Sequence, residues 1–153
     1  MFVAIDPGAC GAIAWLSDGG HLIEVRDLPY SKEGVMCAVL AEWVTAAGRR
    51  PVRGFLERVA ARPGAGVSGM FNFGRGYGHI EGVLAACGIP VDRVTPAAWK
   101  GALRLSKDKN ASRARAAEMW PGLAGCFARV KDDGRAEAAL LGMYGIQAMR
   151  RAA

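Results

Sequence analysis

Two short apolar runs, separated by a turn, open the chain and predict a β-hairpin. The runs cover residues 2–5 and 12–15, and Gly8 and Gly11 between them allow the backbone to turn sharply. Asp6 ends the first run, close to the core, where an unpaired charge is costly. The Asp6 carboxylate therefore either bonds the amides of the turn or requires a partner such as a cation or a metal ion.

The remaining pattern alternates strands and helices. Apolar runs predict further strands at 21–26, 52–59 and 92–95, whereas a helical period of apolar residues predicts helices at 35–47, from about 74 to 86, from Pro96, from Asn110 or Ser112 to Trp120, and at 133–150. The stretches 60–78 and 121–131 lack a clean period, and we expect loops or irregular turns there. This order predicts an α/β fold in which helices cover both faces of a mixed sheet.

Length and composition predict one folded domain, spanning residues 1–153. Hydrophobic residues make up 52% and charged residues 22% of the 153 residues, which is ordinary for a globular protein. No apolar run approaches the roughly 20 residues that a membrane span requires. The apolar start meets Asp6 without a basic leader, so we expect no secretory signal.

The four cysteines are widely scattered, without a Cys-x-x-Cys pair, so neither a zinc site nor a disulfide framework is expected. A reducing, cytoplasmic compartment is the expected location. The formal net charge of +6 makes a polyanion a plausible partner, although basicity alone does not identify one.

Four carboxylates stand out against this basic background. Asp6 ends the first strand and Glu57 ends the fourth, so they share a pocket if the two strands are neighbours. Asp133 and Glu137 are one turn apart on the last helix, at about 40° around its axis. Like charges at this spacing repel unless a cation lies between them. Oxygen ligands of this kind suit hard divalent cations.

Each acid also has a simpler interpretation. Glu57 could pair with Arg53 or Arg58, and Asp133 could cap the last helix. Glu137 follows Asp133 by four positions, so the capping-box spacing of three is not met.

Five blocks of the chain together resemble RuvC-type Holliday junction resolvases, most closely the short versions of bacteriophages and prophages. The blocks run in order from near residue 2 to about 147: IDPGACGA (5–12), FLERV (55–59), RPGAGVSGMFNFG (62–74), VTPAAWK (94–100) and DGRAEA (133–138). Each block is a weak match by itself, whereas the ordered set is specific.

This resemblance implies an RNase H-like fold, with a five-stranded mixed sheet flanked by helices, and a homodimer that cuts opposed strands of a four-way DNA junction. It implies that two Mg²⁺ or Mn²⁺ ions are held by Asp6, Glu57, Asp133 and Glu137. In the cellular enzymes the last acidic pair is usually spaced by three and ends in Asp, so here Asp132 remains an alternative to Asp133. Other branched DNA, such as forks or flaps, and a non-catalytic junction-binding role are the competing interpretations.

The resemblance also implies DNA-facing residues. Lys100 matches a lysine close to the scissile phosphate, and Lys107 or Lys109 matches a second one. An aromatic residue that contacts the junction is expected on the glycine-rich loop, either Phe71 or Phe73, although either could instead belong to the core. Further phosphate contacts, or alternatively a solvated charged surface, are expected at Arg62, Arg75, Arg113 and Arg115.

Overall fold

The computed structural model describes residues 1–60, 64, 66–106 and 108–152, and only the backbone of Lys109. Its strands are β1 (Phe2–Asp6), β2 (Ala12–Leu16), β3 (Leu22–Asp27), β4 (Tyr30–Ser31), β5 (Gly34–Val35), β6 (Arg53–Glu57) and β7 (Val91–Val94). Its helices are α1 (Cys37–Thr45), α2 (Val67–Ala86), α3 (Pro96–Ala102), α4 (Lys109–Met119) and α5 (Asp133–Ala152). Two 3₁₀ helices, Pro121–Phe127 and Val130–Asp132, lead into α5.

Five strands form one mixed sheet in the order β3-β2-β1-β6-β7, which confirms the predicted fold class. The hairpin strands β1, β2 and β3 pair antiparallel, whereas β1, β6 and β7 pair parallel. β4 and β5 form a separate two-stranded hairpin that the pattern of apolar positions did not predict. Among the described residues, no helix is long and apolar enough to cross a membrane.

Alternate residues of the central strands face opposite sides of the sheet and build two cores. On one side, Val3 and Ile5 pack with residues of α1 and α2. On the other side, Ala4 and Phe55 pack with residues of α3, α4 and α5. The sheet is therefore covered on both faces, as the strand and helix pattern predicts.

The pairing of β1 with β6 brings the ends of the two strands together. Ala4 lies opposite Phe55 and Ile5 lies opposite Leu56, so the next residues, Asp6 and Glu57, come side by side. Both acids continue the face of the sheet that α5 covers, because side chains alternate along a strand.

Helix α5 approaches this face very closely because small residues line its contact. A methyl group on Gly142 would lie 2.4 Å from Leu16 Cδ1, and one on Gly145 would lie 2.4 Å from Phe55 Cδ1. Atoms cannot approach so closely, so larger residues there would push α5 away from the sheet.

The boundaries of three helices differ from the prediction. Helix α1 is shorter than the predicted 35–47, because Val35 lies in β5. Helix α2 begins at Val67 rather than near Gly74, so the aromatic segment predicted as a loop is helical. Packing overrides the low helix propensity of its glycines, because Gly76 lies against Tyr30 while Ile80 and Leu84 are buried. Helix α4 is capped by the Asp108 side chain, not by Asn110 or Ser112.

Candidate active site

The four predicted acids line one pocket, of about 360 Å³, at the carboxyl ends of β1 and β6. Asp6 and Glu57 come from the strands, while Asp133 and Glu137 come from the first two turns of α5. The wall also includes Pro7, Gly8, Cys10, Gly11, Val59, Phe73, Pro96 and Lys100.

Asp6 is at the electrostatic centre of the pocket. Surrounding atoms enclose its carboxyl group, and this burial raises the pKa of Asp6 well above its ordinary value of 3.8. The negative charges of Glu57, Glu137 and Asp133 raise the pKa further, whereas the ammonium of Lys100 opposes them. The acids therefore repel one another, and a cation would relieve this repulsion.

Gly134 places the first turn of α5 directly against the loop after β1. A methyl group at this position would lie 2.3 Å from the carbonyl oxygen of Cys10 and 3.3 Å from Asp6 Oδ2. The backbone of α5 can therefore reach the Asp6 loop only with a glycine at position 134. This contact sets Asp133, the preceding residue, at the edge of the pocket.

The two consecutive aspartates before Gly134 have different surroundings. Asp132 is buried, and its carboxylate accepts hydrogen bonds from the Arg129 guanidinium, with 2.7 Å between Nη2 and Oδ1. Asp133 instead lines the pocket, and its backbone is already helical, so it is not the cap of α5. The geometry thus favours Asp133 over Asp132 as the fourth acid.

Glu57 is held by a tryptophan. The Trp99 indole nitrogen donates to Glu57 Oε1 at 2.9 Å, and both residues are buried. Of the two arginines considered as partners for Glu57, Arg53 forms an ion pair with Asp92 on the neighbouring strand β7, at 2.8 Å.

Glu137 is held by a lysine and a serine. Lys100 Nζ lies 2.7 Å from Glu137 Oε1, and the buried Ser112 hydroxyl lies 3.5 Å from the same oxygen. The Lys100 ammonium also lies 5.0 Å from the centre of the Trp99 ring. Donors from α3 and α4 therefore both contact Glu137.

The chemistry of the four acids suits hard divalent cations, because carboxylate oxygens are the ligands that such ions prefer. Burial raises the pKa of Asp6, and the charges of the three neighbouring acids raise it further. Among the described residues, however, no group of three or more His, Cys, Asp or Glu side chains stands as a ready-made metal site. The Lys100 ammonium contacts Glu137 Oε1, so a cation would compete with it for that oxygen.

The two predicted aromatic contacts differ in position. Phe71 is 68% exposed near the start of α2, whereas Phe73 lines the pocket beside the acids. Arg75, also on α2, donates to the carbonyl oxygen of Glu33 at 2.9 Å and remains exposed. Phe71 and Phe73 are thus on a helix rather than on the glycine-rich loop that we predicted, whereas Arg75 lies in the helix predicted from about residue 74.

Arg113 and Arg115, two further predicted basic contacts, do not line the pocket. Arg113 Nη1 donates to the carbonyl oxygens of Phe127 and Ala128, which gives this side chain a structural role. Arg115 pairs with Glu118 at 2.7 Å. The predictions for Arg62, Lys107 and the side chain of Lys109 lie outside the described residues.

Sequence reasoning missed Trp99 and Ser112 as neighbours of the acids. Trp99 lies beside Lys100 in a block that was recognised, yet a tryptophan at helical spacing gives no sign of a polar contact. Ser112 was predicted, as an alternative to Asn110, to cap a helix. Its contact with Glu137 depends on the packing of α4 against α5, which the sequence does not show.

The fold defined by this sheet and these helices is similar to that of solved RuvC structures. The chain is similar to Thermus thermophilus RuvC in complex with a Holliday junction substrate, at TM-score 0.68 and 16% identity over 97% of this chain and 95% of that one. It is also similar to Thermus thermophilus RuvC alone, at TM-score 0.67 and 17% identity over 98% and 96%. The fowlpox virus Holliday junction resolvase matches at TM-score 0.61 and 15% identity over 97% and 98%. No protein-family model matches the chain, and no curated protein matches it by sequence.

Proposed function

We propose that this protein is a metal-dependent endonuclease that resolves Holliday junctions. The observation that carries the proposal is the meeting of Asp6, Glu57, Asp133 and Glu137 in one pocket of a RuvC-type fold. The similar Thermus thermophilus structure contains a Holliday junction, which supports branched DNA as the substrate. The net charge of +6 is consistent with a polyanionic partner.

The four carboxylates would hold two Mg²⁺ or Mn²⁺ ions. Such ions activate a water molecule and stabilise the leaving 3′ oxygen of a phosphodiester. Lys100 is the cation nearest to Glu137 in the pocket, and after leaving Glu137 it would bind the scissile phosphate. Trp99 and Ser112 would keep their carboxylate partners oriented while Lys100 moves.

The protein is proposed to act as a homodimer in the cytoplasm of a bacterium or an infected host. Two opposed strands of a junction must be cut, and each chain supplies a single cluster of four acids among its described residues. Two copies related by a twofold axis would match the symmetry of the junction. Light scattering on the purified protein, with and without a junction, measures this state directly.

The decisive experiment is cleavage of a synthetic four-way junction in the presence of Mg²⁺. Asp6→Asn and Glu57→Gln remove a metal-binding charge with little change in size, so we expect both variants to bind the junction without cutting it. Glu118→Gln is a matched control, because Glu118 is exposed and pairs with Arg115 instead of lining the pocket. It should cut at the wild-type rate.

Two outcomes would contradict the proposal. Wild-type protein that cuts no branched DNA would exclude the nuclease activity and leave junction binding as the remaining function. Asp6→Asn or Glu57→Gln protein that cuts at the wild-type rate would exclude this pocket as the active site. Parallel assays on a replication fork and a flap decide between Holliday junctions and other branched substrates.

A further inference from the structure

Trp99 is a completely buried residue with one polar atom. Its side chain is 0% exposed and packs in the apolar core between the sheet and α5. An indole N–H in such surroundings needs an acceptor, because leaving it unpaired costs free energy. The acceptor is Glu57 Oε1, at 2.9 Å, in the wall of the pocket.

The backbone fixes this contact from both sides. Glu57 pairs with Val94 in the parallel ladder between β6 and β7. The next residue, Thr95, caps α3 by accepting a hydrogen bond from the amide of Ala98 at 3.3 Å. Trp99 therefore follows the strand by one helical turn, and neither its backbone nor its ring is free to move away from Glu57.

This hydrogen bond acts against the repulsion between the like charges in the pocket. Glu57 faces Asp6, and their repulsion acts to separate the carboxylates. A rigid donor that holds Oε1 opposes this separation and limits Glu57 to one orientation. Hydrogen bonds to metal-binding carboxylates typically change metal affinity by 10–100-fold.

From these contacts we infer that Trp99 is a positioning residue, which holds the Glu57 carboxylate in place for a divalent cation. The inference rests on the metal site of the proposed function, but it does not depend on the cleavage of junctions. The neighbouring residues Trp99 and Lys100 then act on different carboxylates, because the indole holds Glu57 and the ammonium contacts Glu137.

The chain offers a matched control for the hydrogen bond. Trp120 is also buried, and its indole nitrogen donates to the carbonyl oxygen of Gly20 at 3.2 Å. Trp99→Phe and Trp120→Phe therefore each remove one buried indole hydrogen bond and keep an aromatic ring. Only the first variant removes a contact to the pocket.

The test is a titration of the protein with Mn²⁺ in the absence of DNA, followed by electron paramagnetic resonance. We expect Trp99→Phe to raise the half-saturating Mn²⁺ concentration by about 10–100-fold, and Trp120→Phe to leave it unchanged. Thermal melting should show similar losses for both variants. Equal Mn²⁺ affinity in wild type and Trp99→Phe, or an equal loss in Trp120→Phe, would overturn the inference.

A second measurement covers the case in which Trp99→Phe does not fold. Incorporation, at position 99 alone, of the tryptophan analogue that has sulfur in place of the indole N–H preserves the shape of the side chain and removes the donor. This protein should also bind Mn²⁺ more weakly than wild type, and unchanged binding would again overturn the inference. A wild-type protein that binds Mn²⁺ but cuts no junction would contradict the proposed function and leave the role of Trp99 intact.

Discussion

Lys100 and Glu137 form an ion pair inside the pocket, with 2.7 Å between Nζ and Oε1. The lysine is on α3 and the glutamate is on α5, and both side chains are partly buried. A cation from the protein thus balances part of the negative charge of the acids. A divalent cation would compete with Lys100 for Glu137, and the released ammonium would then be available to a phosphate.

Replacement of Lys100 by Ala is expected to slow the cleavage step more than it weakens junction binding. The ammonium acts on one phosphate, where loss of a single charged donor typically lowers the rate by about 10²–10³-fold. Single-turnover cleavage at saturating protein, compared with affinity from gel shifts, separates the two effects. Weaker binding with an unchanged single-turnover rate would make Lys100 an ordinary phosphate contact.

Replacement of Gly134 by Ala is expected to destabilise the fold and to impair cleavage. The new methyl group would lie 2.3 Å from the Cys10 carbonyl oxygen, so α5 or the Asp6 loop must move. Overpacking of this kind typically costs about 1–3 kcal/mol. Gly101→Ala is the control, because that helical position has open space around it. Chemical denaturation should show a loss for Gly134→Ala alone.

The two aromatic residues of α2 are expected to have separate effects. Phe71 is exposed and free to stack on an unpaired base, so Phe71→Ala should weaken junction binding by about 1–3 kcal/mol. Phe73 lines the pocket, so Phe73→Ala should lower the cleavage rate more than the affinity. Binding and single-turnover assays on both variants test this division. Phe71→Ala with wild-type affinity would remove Phe71 from the proposed DNA contacts.

Replacement of Arg113 by Ala is expected to lower stability without changing the salt dependence of DNA binding. Its guanidinium bonds the carbonyl oxygens of Phe127 and Ala128, and their loss should cost about 1–3 kcal/mol. Arg115→Ala, a neighbouring charge loss, should change stability by less than about 0.5 kcal/mol. A salt slope that falls by about 0.9 in Arg113→Ala would instead identify a phosphate contact.

Glu24 is expected to give a pH-dependent contribution to stability. Burial acts to raise the pKa of Glu24, but hydrogen bonds from Arg26 and Arg49 outweigh it and hold the pKa below its ordinary value of 4.5. A carboxylate with a lowered folded-state pKa stabilises the protein above its unfolded pKa and loses this effect as pH falls. The stability difference between wild type and Glu24→Gln should therefore be largest near neutrality and vanish in acid. A difference that persists at low pH would exclude this ionic origin.

Much of the fold was predictable because its signals are local. The apolar runs of β1 and β2 are formed by neighbouring residues, and the carboxylates of Asp6 and Glu57 end two such runs. The start of α2 was not predictable in this way. Its glycines weaken the helical signal, and the contacts that offset them involve Tyr30 and the distant hairpin of β4 and β5.

The meeting of the four acids in one pocket was predictable from their type and spacing, together with the family resemblance. Their supporting contacts were not, because the Trp99–Glu57 hydrogen bond joins residues 42 positions apart. The choice between Asp132 and Asp133 depended on Arg129, whose role follows only from the geometry of a 3₁₀ helix. The Trp99 contact and the choice between Asp132 and Asp133 both depend on packing in three dimensions, which a local sequence pattern does not show.

The pairing of β1 with β6 makes the pocket sensitive to the parity of strand length. Ala4 and Phe55 pack against α5, and Asp6 and Glu57 each follow one of them by two positions. The two acids therefore share the face of the sheet that α5 covers. Removal of one residue within β6, after Phe55, would carry the glutamate to the face covered by α1 and α2. Insertion of two residues at the same point would keep it on the original side of the sheet. Evolutionary changes of length are thus expected to accumulate between these strands, and to occur inside them only in pairs.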